Sequence, residues 1–393
     1  MSQSSRAPFS PPIAKHVLNI PRSGIRDFFE IVQSMQDVIS LGIGEPDFSS
    51  PEHIRQAAID GLRAGRTGYT SNLGIPRLRK AISQYLAQYY HVYYDPSSEI
   101  IVTAGVSEAL DLALRAIIDP GDEIIYHEPC YVSYSPSIRL CHGIPVPVQT
   151  HPENCFALKA SQLEPHITPR TKAILLNFPT NPTGAAMPQE ELKKIAALAQ
   201  NKNLLVITDE IYSELTYEGQ HTSIASLPGM KERTIFLHGF SKAFAMTGFR
   251  IGYACAPPAI TEAMMKIHQY AIMCAPTASQ EAAIEALNGD LTDVQKMKDH
   301  YHKRRDYIVS ALNEMGLDCH MPRGAFYAFP SIKKTGLDAQ TFSLRLLKEE
   351  KVAVVPGTAF GSHAHQYIRC SYATGLKQIE KAMQAMKRFV NRL

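Results

Sequence analysis

Hydrophobic and polar positions alternate from about residue 98 onwards in a way that predicts an α/β domain. Short β-branched runs such as EIIVTAG, TKAILLNF and LLVITDEIY are interleaved with stretches of helical spacing such as VSEALDLALRAI and QEELKKIAALAQ. Strands covered on both faces show continuous apolar runs of this kind, which is typical of parallel sheets. Pro188, followed by Glu190 and Glu191, favours the start of a helix. The pattern therefore predicts a mostly parallel sheet with helices packed against it.

The pattern changes after about residue 288, where a long amphipathic stretch, VQKMKDHYHKRRDYIVSALNEMG, precedes the short apolar runs GAFYAFP, KVAVVPG and QYIRCSYA. This alternation predicts a smaller α+β domain. Residues 1–23 are rich in Pro and Ser and predict an extended arm. We therefore divide the chain into an N-terminal arm with part of the small domain (1–45), a large domain (46–288) and a small C-terminal domain (289–393).

Composition excludes several classes of function. The chain of 393 residues is 45% hydrophobic and 20% charged, with a formal net charge of +3 and no basic block, so we expect no nucleic-acid partner. Its seven cysteines are scattered without a CxxC pair, which argues against a zinc site or a disulfide framework and favours a reducing compartment. The N-terminus has no apolar h-region and no segment has membrane-spanning length. We expect a cytoplasmic protein that does not bind membranes.

Polar residues follow several of the predicted strands, at the edge where open α/β sheets bind ligands. One of them, Lys242, lies in GFSKAFAMTGFR among small and apolar residues, whereas most other basic residues lie in polar surroundings. A lysine kept out of water loses its proton readily, so Lys242 is a candidate nucleophile. The polar residues at these strand ends are Gly105, Ser107, Asn177 to Asn181, Asp209, Tyr212, Ser241 and Lys242.

Other motifs allow more than one interpretation. SLGIGEPDF lacks the third glycine of a dinucleotide fingerprint, and the SxxK and KTG motifs within SIKKTG overlap too closely to form two walls of one site. Asn181 in NPTG is either a loop residue or an amide for a ligand, and Asp209 is either a helix N-cap or a costly carboxylate that needs a cation. Arg250 and Arg369, each an ordinary surface residue if taken alone, together offer two anion sites.

A Schiff-base lysine, an acid for a pyridinium nitrogen and an anion site together meet the needs of pyridoxal 5′-phosphate (PLP). At these residues the sequence resembles the class I/II aminotransferases of PLP fold type I, most closely the bacterial and archaeal aspartate and aromatic aminotransferases. The resemblance implies a large PLP-binding domain with a mostly parallel seven-stranded sheet between helices, plus a smaller α+β domain. It runs from about residue 20 to the C-terminus through SLGIGEPDF, GYTSNLGIPRLR, TAGVSEAL, NFPTNPTG, TDEIYSELTYEG and GFSKAFAMTGFRIGYACAP.

The resemblance implies roles for the residues around the cofactor ring. Lys242 matches the lysine that forms the Schiff base and carries the proton, and Asp209 matches the acid that keeps the ring nitrogen protonated. Tyr212 and Asn181 match the pair that hydrogen-bonds the 3′ oxygen, while Tyr131 matches the aromatic residue that stacks on the ring. Lys242, Asp209 and Tyr212 are thus the implied catalytic residues.

The resemblance also implies a phosphate site. Arg250 matches a phosphate ligand, and Val106 and Ser107 match the positions whose backbone amides cradle the phosphate. Tyr69 matches a tyrosine that reaches the phosphate from a neighbouring subunit, which implies an obligate homodimer with active sites at the interface. The sequence departs from the family at Gly239, where many relatives carry a phosphate-binding Ser or Thr.

On the substrate side, Arg369 matches the arginine that binds the α-carboxylate, with Gly44 and Asn181 as further contacts. Phe249 stands where Trp is frequent, which we expect to affect packing only. The resemblance implies a ping-pong transfer of an amino group from an L-amino acid, aromatic or acidic, to a 2-oxo acid such as 2-oxoglutarate. No arginine is marked for a second carboxylate.

Two rival functions remain at this point. A PLP-dependent carbon–sulfur β-lyase, or an enzyme similar to aminocyclopropane-carboxylate synthase, would use the same scaffold and the same motifs. A transcription regulator with an aminotransferase-like domain would need an added DNA-binding domain, for which the about 20 residues before the resemblance are too few.

Overall fold

The computed structural model describes residues 11–20 and 35–393. Its helices and strands follow the pattern of the sequence, and every predicted strand that it describes is present at least in part. The strands are β1 (Ile39–Ser40), β2 (Ile100–Thr103), β3 (Glu123–Glu128), β4 (Ile144–Gln149), β5 (Thr171–Asn177), β6 (Leu205–Asp209), β7 (Thr234–Gly239), β8 (Gly252–Cys255), β9 (Tyr327–Ala328), β10 (Val352–Ala353), β11 (Val355–Pro356) and β12 (Ile368–Ser371).

The helices lie between these strands in an alternation typical of α/β proteins. Helix Gln189–Asn201 begins one residue after Pro188, so the proline occupies the N-cap and not the first turn. The helices are Lys15–Leu18, Glu52–Arg63, Pro76–Tyr89, Val106–Ile117, Tyr134–Leu140, Ala160–Leu163, Gln189–Asn201, Pro258–Ala271, Thr277–Asn288, Thr292–Glu314, Ala339–Glu350 and Leu376–Val390.

Within the described residues, seven strands form the central sheet in the order β2-β8-β7-β6-β5-β3-β4. β8 is antiparallel to both of its neighbours, and the other pairs are parallel. The prediction of a mostly parallel α/β sheet between helices is therefore confirmed. Parallel neighbours direct their carboxyl ends to one edge, so the segments that follow β5, β6 and β7 lie side by side.

Both faces of the sheet are buried. Along β6, Val206 and Ile207 are each fully buried, yet they belong to different hydrophobic clusters on opposite faces. Ile174 and Leu175 of β5 divide between the two clusters in the same way. Successive side chains of a strand point to opposite faces, so helices on each side must cover both sets. This arrangement explains the continuous apolar runs in the sequence.

A second group of elements is built from the C-terminal part of the chain. β11, β12 and β9 form an antiparallel sheet, while β1 pairs in parallel with β10 through Ile39 and Val352. The N-terminal part of the chain thus adds a strand to the C-terminal group. The domain boundaries after residues 45 and 288 stay a prediction.

Most of the predicted arm over residues 1–23 lies outside the described residues. Within the described part of the arm, Lys15–Leu18 forms one helical turn, so the arm is not extended throughout. Among the helices that the structure describes, none has both the length and the apolar character needed to cross a membrane.

Candidate active site

A cavity of about 670 Å³ lies at the carboxyl edge of the central sheet, where β5, β6 and β7 end. Every predicted site residue except Tyr69 lines it. The structure therefore brings together residues that are far apart in sequence, although their roles remain predictions. The predicted residues lining the cavity are Gly44, Val106, Ser107, Tyr131, Asn181, Asp209, Tyr212, Lys242, Arg250 and Arg369.

Lys242 follows β7 and reaches into the cavity from a partly buried position. Its Nζ donates a hydrogen bond to the backbone oxygen of Gly44 at 2.7 Å. The pKa of Lys242 is lowered to about 8, chiefly by burial; Glu45 opposes this lowering, and the nearby charges of Arg369 and Arg250 contribute to it. Because this pKa is close to neutrality, an appreciable fraction of the amine is unprotonated and nucleophilic at physiological pH.

Asp209 is the last residue of β6 and is buried. Its Oδ2 accepts a hydrogen bond from the Tyr134 hydroxyl at 2.8 Å, and its Oδ1 accepts one from the Ile211 N–H at 3.2 Å. Burial raises the pKa of Asp209 to about 6, and these two hydrogen bonds oppose that rise. Neither donor is a cation, so this carboxylate suits a positively charged group placed in the cavity.

The loop after β5 joins two parts of the site. Asn177 donates from Nδ2 to the backbone oxygen of Asp209 at 2.8 Å and accepts the Asn181 N–H at 3.3 Å. The Asn181–Pro182 peptide bond is cis. The loop presents the Asn181 side chain to Arg369, which donates from Nη1 to Asn181 Oδ1 at 2.8 Å. The interpretation of Asn181 as an amide within the site agrees with this geometry.

Arg369 lies on β12 and is buried, although its sequence context alone is that of an ordinary surface residue. It is 3% exposed, and its Nη2 donates to the backbone oxygen of Gly42 at 2.6 Å. The guanidinium lies 4.5 Å from the ring centroid of Tyr327 and 4.8 Å from that of Phe360. Its Nε has no hydrogen-bond partner in the described chain. A buried guanidinium that lacks a carboxylate partner here is suited to bind an anion.

Two tyrosines meet beside this arginine. The hydroxyl oxygens of Tyr212 and Tyr327 are 2.8 Å apart, and burial raises the pKa of both groups. A Cβ on Gly44 would lie 2.5 Å from the Tyr327 hydroxyl oxygen, so the glycine leaves the room that this ring needs. Tyr327 comes from β9 of the C-terminal group, which therefore forms part of the wall of the cavity.

The opposite end of the cavity combines a helix N-terminus with a guanidinium. Val106 begins the helix Val106–Ile117, and Gly105 before it has a φ of +80°. A Cβ at Gly105 would lie 2.7 Å from Nη2 of Arg250, which itself adopts a φ of +51° and donates to the Thr247 backbone oxygen at 3.0 Å. Unpaired N–H groups at a helix start and a nearby arginine form a site for an anion such as phosphate.

Gly239 departs from the family because its position is crowded. A Cβ there would lie 2.9 Å from Cγ2 of Val106, 3.0 Å from Cα of Gly252 and 3.1 Å from the backbone oxygen of Ile251. A serine or threonine would therefore require the Val106 side chain and the backbone of Ile251 and Gly252 to shift. Phe249, the other departure, is partly buried against a hydrophobic cluster, in agreement with a packing role.

Several lining residues were missed by the sequence analysis. Tyr134 and Tyr327 belong to no motif that we identified, and only the contacts of the folded chain reveal them. Gly42 and Glu45 lie in the quoted motif SLGIGEPDF, from which only Gly44 was assigned to the site. Glu45 accepts a hydrogen bond from Thr247.

Tyr69 is the predicted site residue that the structure does not place in the cavity of this chain. Its side chain is 84% exposed. The resemblance assigned this residue to the site of a neighbouring subunit, and that assignment stays a prediction.

Comparison with known proteins shows the family. A model of the aminotransferase class I and II family matches residues 36–386. The Bacillus subtilis protein YugH, named as a candidate aminotransferase, is 51% identical over 97% of this chain and 98% of that protein. An aspartate aminotransferase of Pyrococcus abyssi is 45% identical over 93% of this chain and 95% of that protein. The structure of an aromatic aminotransferase from Pyrococcus horikoshii has 43% identity and a TM-score of 0.90, covering 94% of this chain and 99% of that one.

The fold and the site thus define an enzyme of the transaminase type. The chain belongs to the class I and II aminotransferases. The resemblance stated from the sequence motifs is confirmed, and the β-lyase alternative is not favoured, because these similar proteins carry aminotransferase names.

Proposed function

We propose that this enzyme uses PLP to move an amino group from an L-amino acid, aromatic or acidic, to a 2-oxo acid such as 2-oxoglutarate. The observation that carries the proposal is the content of one cavity. It holds a lysine with a pKa of about 8, a buried carboxylate with a pKa of about 6, and two arginines. The names of similar aspartate and aromatic aminotransferases support the choice of donors.

The residues present fit PLP. Asp209 offers a buried carboxylate held only by neutral donors, which suits a protonated pyridine nitrogen. Arg250 and the N-terminus of the helix Val106–Ile117 offer an anion site for the phosphate. Lys242 offers an amine with a lowered pKa for the aldehyde. When bound, PLP supplies an electrophilic carbonyl carbon and a ring that accepts electrons.

The chain's own residues bind the substrate and move its proton. The Arg369 guanidinium binds the α-carboxylate. It is buried and held by hydrogen bonds to Asn181 and Gly42, and its Nε–H has no partner within the described chain, so it is available to a ligand. The Lys242 amine takes the proton from the substrate Cα and returns it, since a base with a pKa near neutrality works in both directions. Tyr212, fully buried beside Tyr327, presents a hydroxyl to the same space.

The charged residues of the cavity are compatible with two classes of amino donor, those with an acidic and those with an aromatic side chain. Once Arg250 serves the phosphate and Arg369 the α-carboxylate, no further arginine lines the cavity within the described residues. An acidic side chain would then need a cation from another part of the dimer, whereas an aromatic side chain would not. Both donor classes therefore remain in the proposal.

A panel of the twenty common amino acids against 2-oxoglutarate, pyruvate and oxaloacetate tests this proposal. We expect the highest kcat/KM for an aromatic or acidic donor with 2-oxoglutarate, and parallel double-reciprocal lines because product leaves before the second substrate binds. A matched assay supplies cystathionine without any 2-oxo acid. Release of pyruvate and ammonia there, with no transfer in the panel, would contradict the proposal.

We also propose that the enzyme is a homodimer in which each subunit completes the other's site. Tyr69 and Tyr270 are 84% and 88% exposed, which is unusual for large aromatic side chains, and Met273 beside them is 43% exposed. Asn72 donates to the backbone oxygen of Met273 at 3.1 Å, so the segment that carries Tyr69 adjoins the C-terminal end of the helix Pro258–Ala271, which carries Tyr270. Rings of this kind, exposed on one chain, are suited to contact a second copy.

Native mass spectrometry checks the dimer, with an expected mass of twice the 43.6 kDa of the chain. A Tyr69→Ala and Tyr270→Ala double variant is expected to shift the equilibrium towards monomer, whereas Tyr93→Ala, an exposed ring on another surface, is not. A monomeric wild type would refute the arrangement.

The seven free cysteines further support a reducing, cytoplasmic location as part of the proposal.

A further inference from the structure

Tyr134 is a buried residue of the site to which the family resemblance gave no role. It begins the helix Tyr134–Leu140, its side chain is fully buried, and its hydroxyl donates to Asp209 Oδ2 at 2.8 Å. Its ring meets that of Tyr131 edge to face, with centroids 5.7 Å apart at 82°. Tyr134 thus touches both the carboxylate and the aromatic residue on which the cofactor is expected to stack.

Three hydrogen bonds hold Asp209, two at its carboxyl group and one at its backbone. Tyr134 donates to Oδ2 at 2.8 Å and the Ile211 N–H donates to Oδ1 at 3.2 Å, while the Asn177 side chain donates to the backbone oxygen at 2.8 Å. Of the two bonds to the carboxyl group, the one from Tyr134 comes from a side chain, so a single substitution removes it without altering the backbone. It also reaches Asp209 from a helix, whereas the other two come from the sheet edge.

We propose that Tyr134 is a positioning residue that orients the Asp209 carboxylate and holds it as an anion. The proposal rests on the proposed function, in which this carboxylate faces the cofactor's ring nitrogen. A hydroxyl that donates to a buried carboxylate stabilises the charged form, and its loss leaves one oxygen without a partner in a water-poor site. The hydrogen bond therefore preserves the charge that burial alone would suppress.

Other charged groups also face Asp209 and influence its pKa. His238, on the neighbouring strand β7, lies 3.2 Å from Glu214 and favours the ionised form of Asp209. Glu210, the next residue in the chain, opposes ionisation, and Lys242 faces Asp209 across the cavity. Burial dominates and raises the pKa of Asp209 to about 6, while Tyr134 is the strongest influence that lowers it. Removing only the Tyr134 hydroxyl leaves the other groups in place.

Carboxyl ¹³C NMR of the cofactor-free protein labelled at aspartate tests the proposal, with the Asp209 signal assigned by Asp209→Asn. In Tyr134→Phe we expect the titration midpoint of Asp209 to rise by about one pH unit, equivalent to a tenfold gain in proton affinity. The matched control is Tyr94→Phe, because the Tyr94 hydroxyl is buried and lacks a partner within the described residues. Its midpoint should equal that of the wild type. An unchanged midpoint in Tyr134→Phe would overturn the proposal.

A second readout is the dissociation constant of PLP at pH 8, followed by absorbance. We expect Tyr134→Phe to bind PLP about tenfold more weakly, and we expect no further weakening when the same change is made in Asp209→Asn. Equal weakening in both backgrounds would mean that Tyr134 acts independently of Asp209 and would overturn the proposal. A wild type that does not bind PLP would refute the proposed function, while the NMR titration would still decide the role of Tyr134.

Should Tyr134→Phe fail to fold, wild-type protein containing 3-fluorotyrosine provides another measurement. Its more acidic hydroxyl is a stronger donor, so the midpoint of Asp209 is expected to fall. A midpoint that does not move would again contradict a hydrogen bond that matters for the charge on Asp209.

Discussion

Replacing Lys242 with alanine is expected to abolish transamination, with a loss of at least about 10⁴-fold in kcat. The loss is large because one amine serves as both the nucleophile for the cofactor and the base for the substrate proton. Its lowered pKa of about 8 suits both tasks, and no other lysine lines the cavity in the described chain. Stopped-flow or coupled assays of both half-reactions measure the effect.

The matched control for this variant is Lys231→Ala. Lys231 is partly buried as well, but its Nζ forms an ion pair with Glu99 at 2.9 Å, and it does not line the cavity. Its replacement should therefore leave the rate nearly unchanged. Borohydride reduction of the PLP-treated wild type should place the label on Lys242, as read by peptide mass spectrometry. The labelling rate should rise with pH with a midpoint near pH 8 and level off above it, where the amine is fully unprotonated. Turnover by Lys242→Ala, or a label on another lysine, would refute the assignment.

Asp209→Asn is expected to lower kcat/KM by about 10³-fold or more and at the same time to stabilise the cofactor-free protein. An amide carries no charge to hold a protonated ring nitrogen, so the rate falls. Stability rises because the folded-state pKa of Asp209 is raised to about 6 from an ordinary value of 3.8, so ionising this group costs folding free energy. The cost is fully present above about pH 6 and disappears below the ordinary value.

The expected gain in unfolding free energy for Asp209→Asn is about 1–3 kcal/mol at pH 8. The upper limit is the free energy that corresponds to the shift in the pKa of Asp209. The lower limit allows for weaker hydrogen bonds to an amide than to a carboxylate. Urea unfolding at pH 4, 6 and 8 measures it, and the gain should shrink towards acid pH. Asp299→Asn, on an exposed turn of the helix Thr292–Glu314, serves as the control with little change at any pH. A gain that is equal at every pH would contradict the assignment of the cost to charge burial.

Much of the site followed from one rule applied to the sequence. Parallel strands present their carboxyl ends to one edge, so residues after β5, β6 and β7 were expected to meet there. Asn181, Asp209 and Lys242 do line one cavity. The character of these residues was also visible, since a carboxylate after LLVIT and a lysine among apolar neighbours are costly unless they serve a purpose.

The rest of the site depends on contacts between distant parts of the chain. Tyr212 and Tyr327 meet although 115 positions separate them, and Arg369 meets Asn181 across 188 positions. Taken alone, Arg369 is an ordinary surface residue, and only its packing against the rings of Tyr327 and Phe360 makes it a buried one. Local pattern specifies elements, whereas such encounters depend on how the elements pack.

The departure at Gly239 illustrates the same limit. From the sequence, a glycine in place of a hydroxyl residue suggested a phosphate shell with one ligand fewer. In the structure, the segments around Val106 and Gly252 come so close that a Cβ at position 239 would require them to shift. The space available at one position is set by the two segments packed against it, and those segments are distant in sequence.

The hydrogen bonds from Arg369 to Asn181 and Gly42 affect the thermodynamics of capture. A long cationic side chain normally loses conformational entropy when it binds a ligand, and that loss weakens the binding. Here the freedom is already lost during folding, so an incoming amino acid meets a rigid, desolvated, planar receptor. Such a receptor discriminates by shape as well as by charge, favouring flat two-oxygen anions over spherical ones.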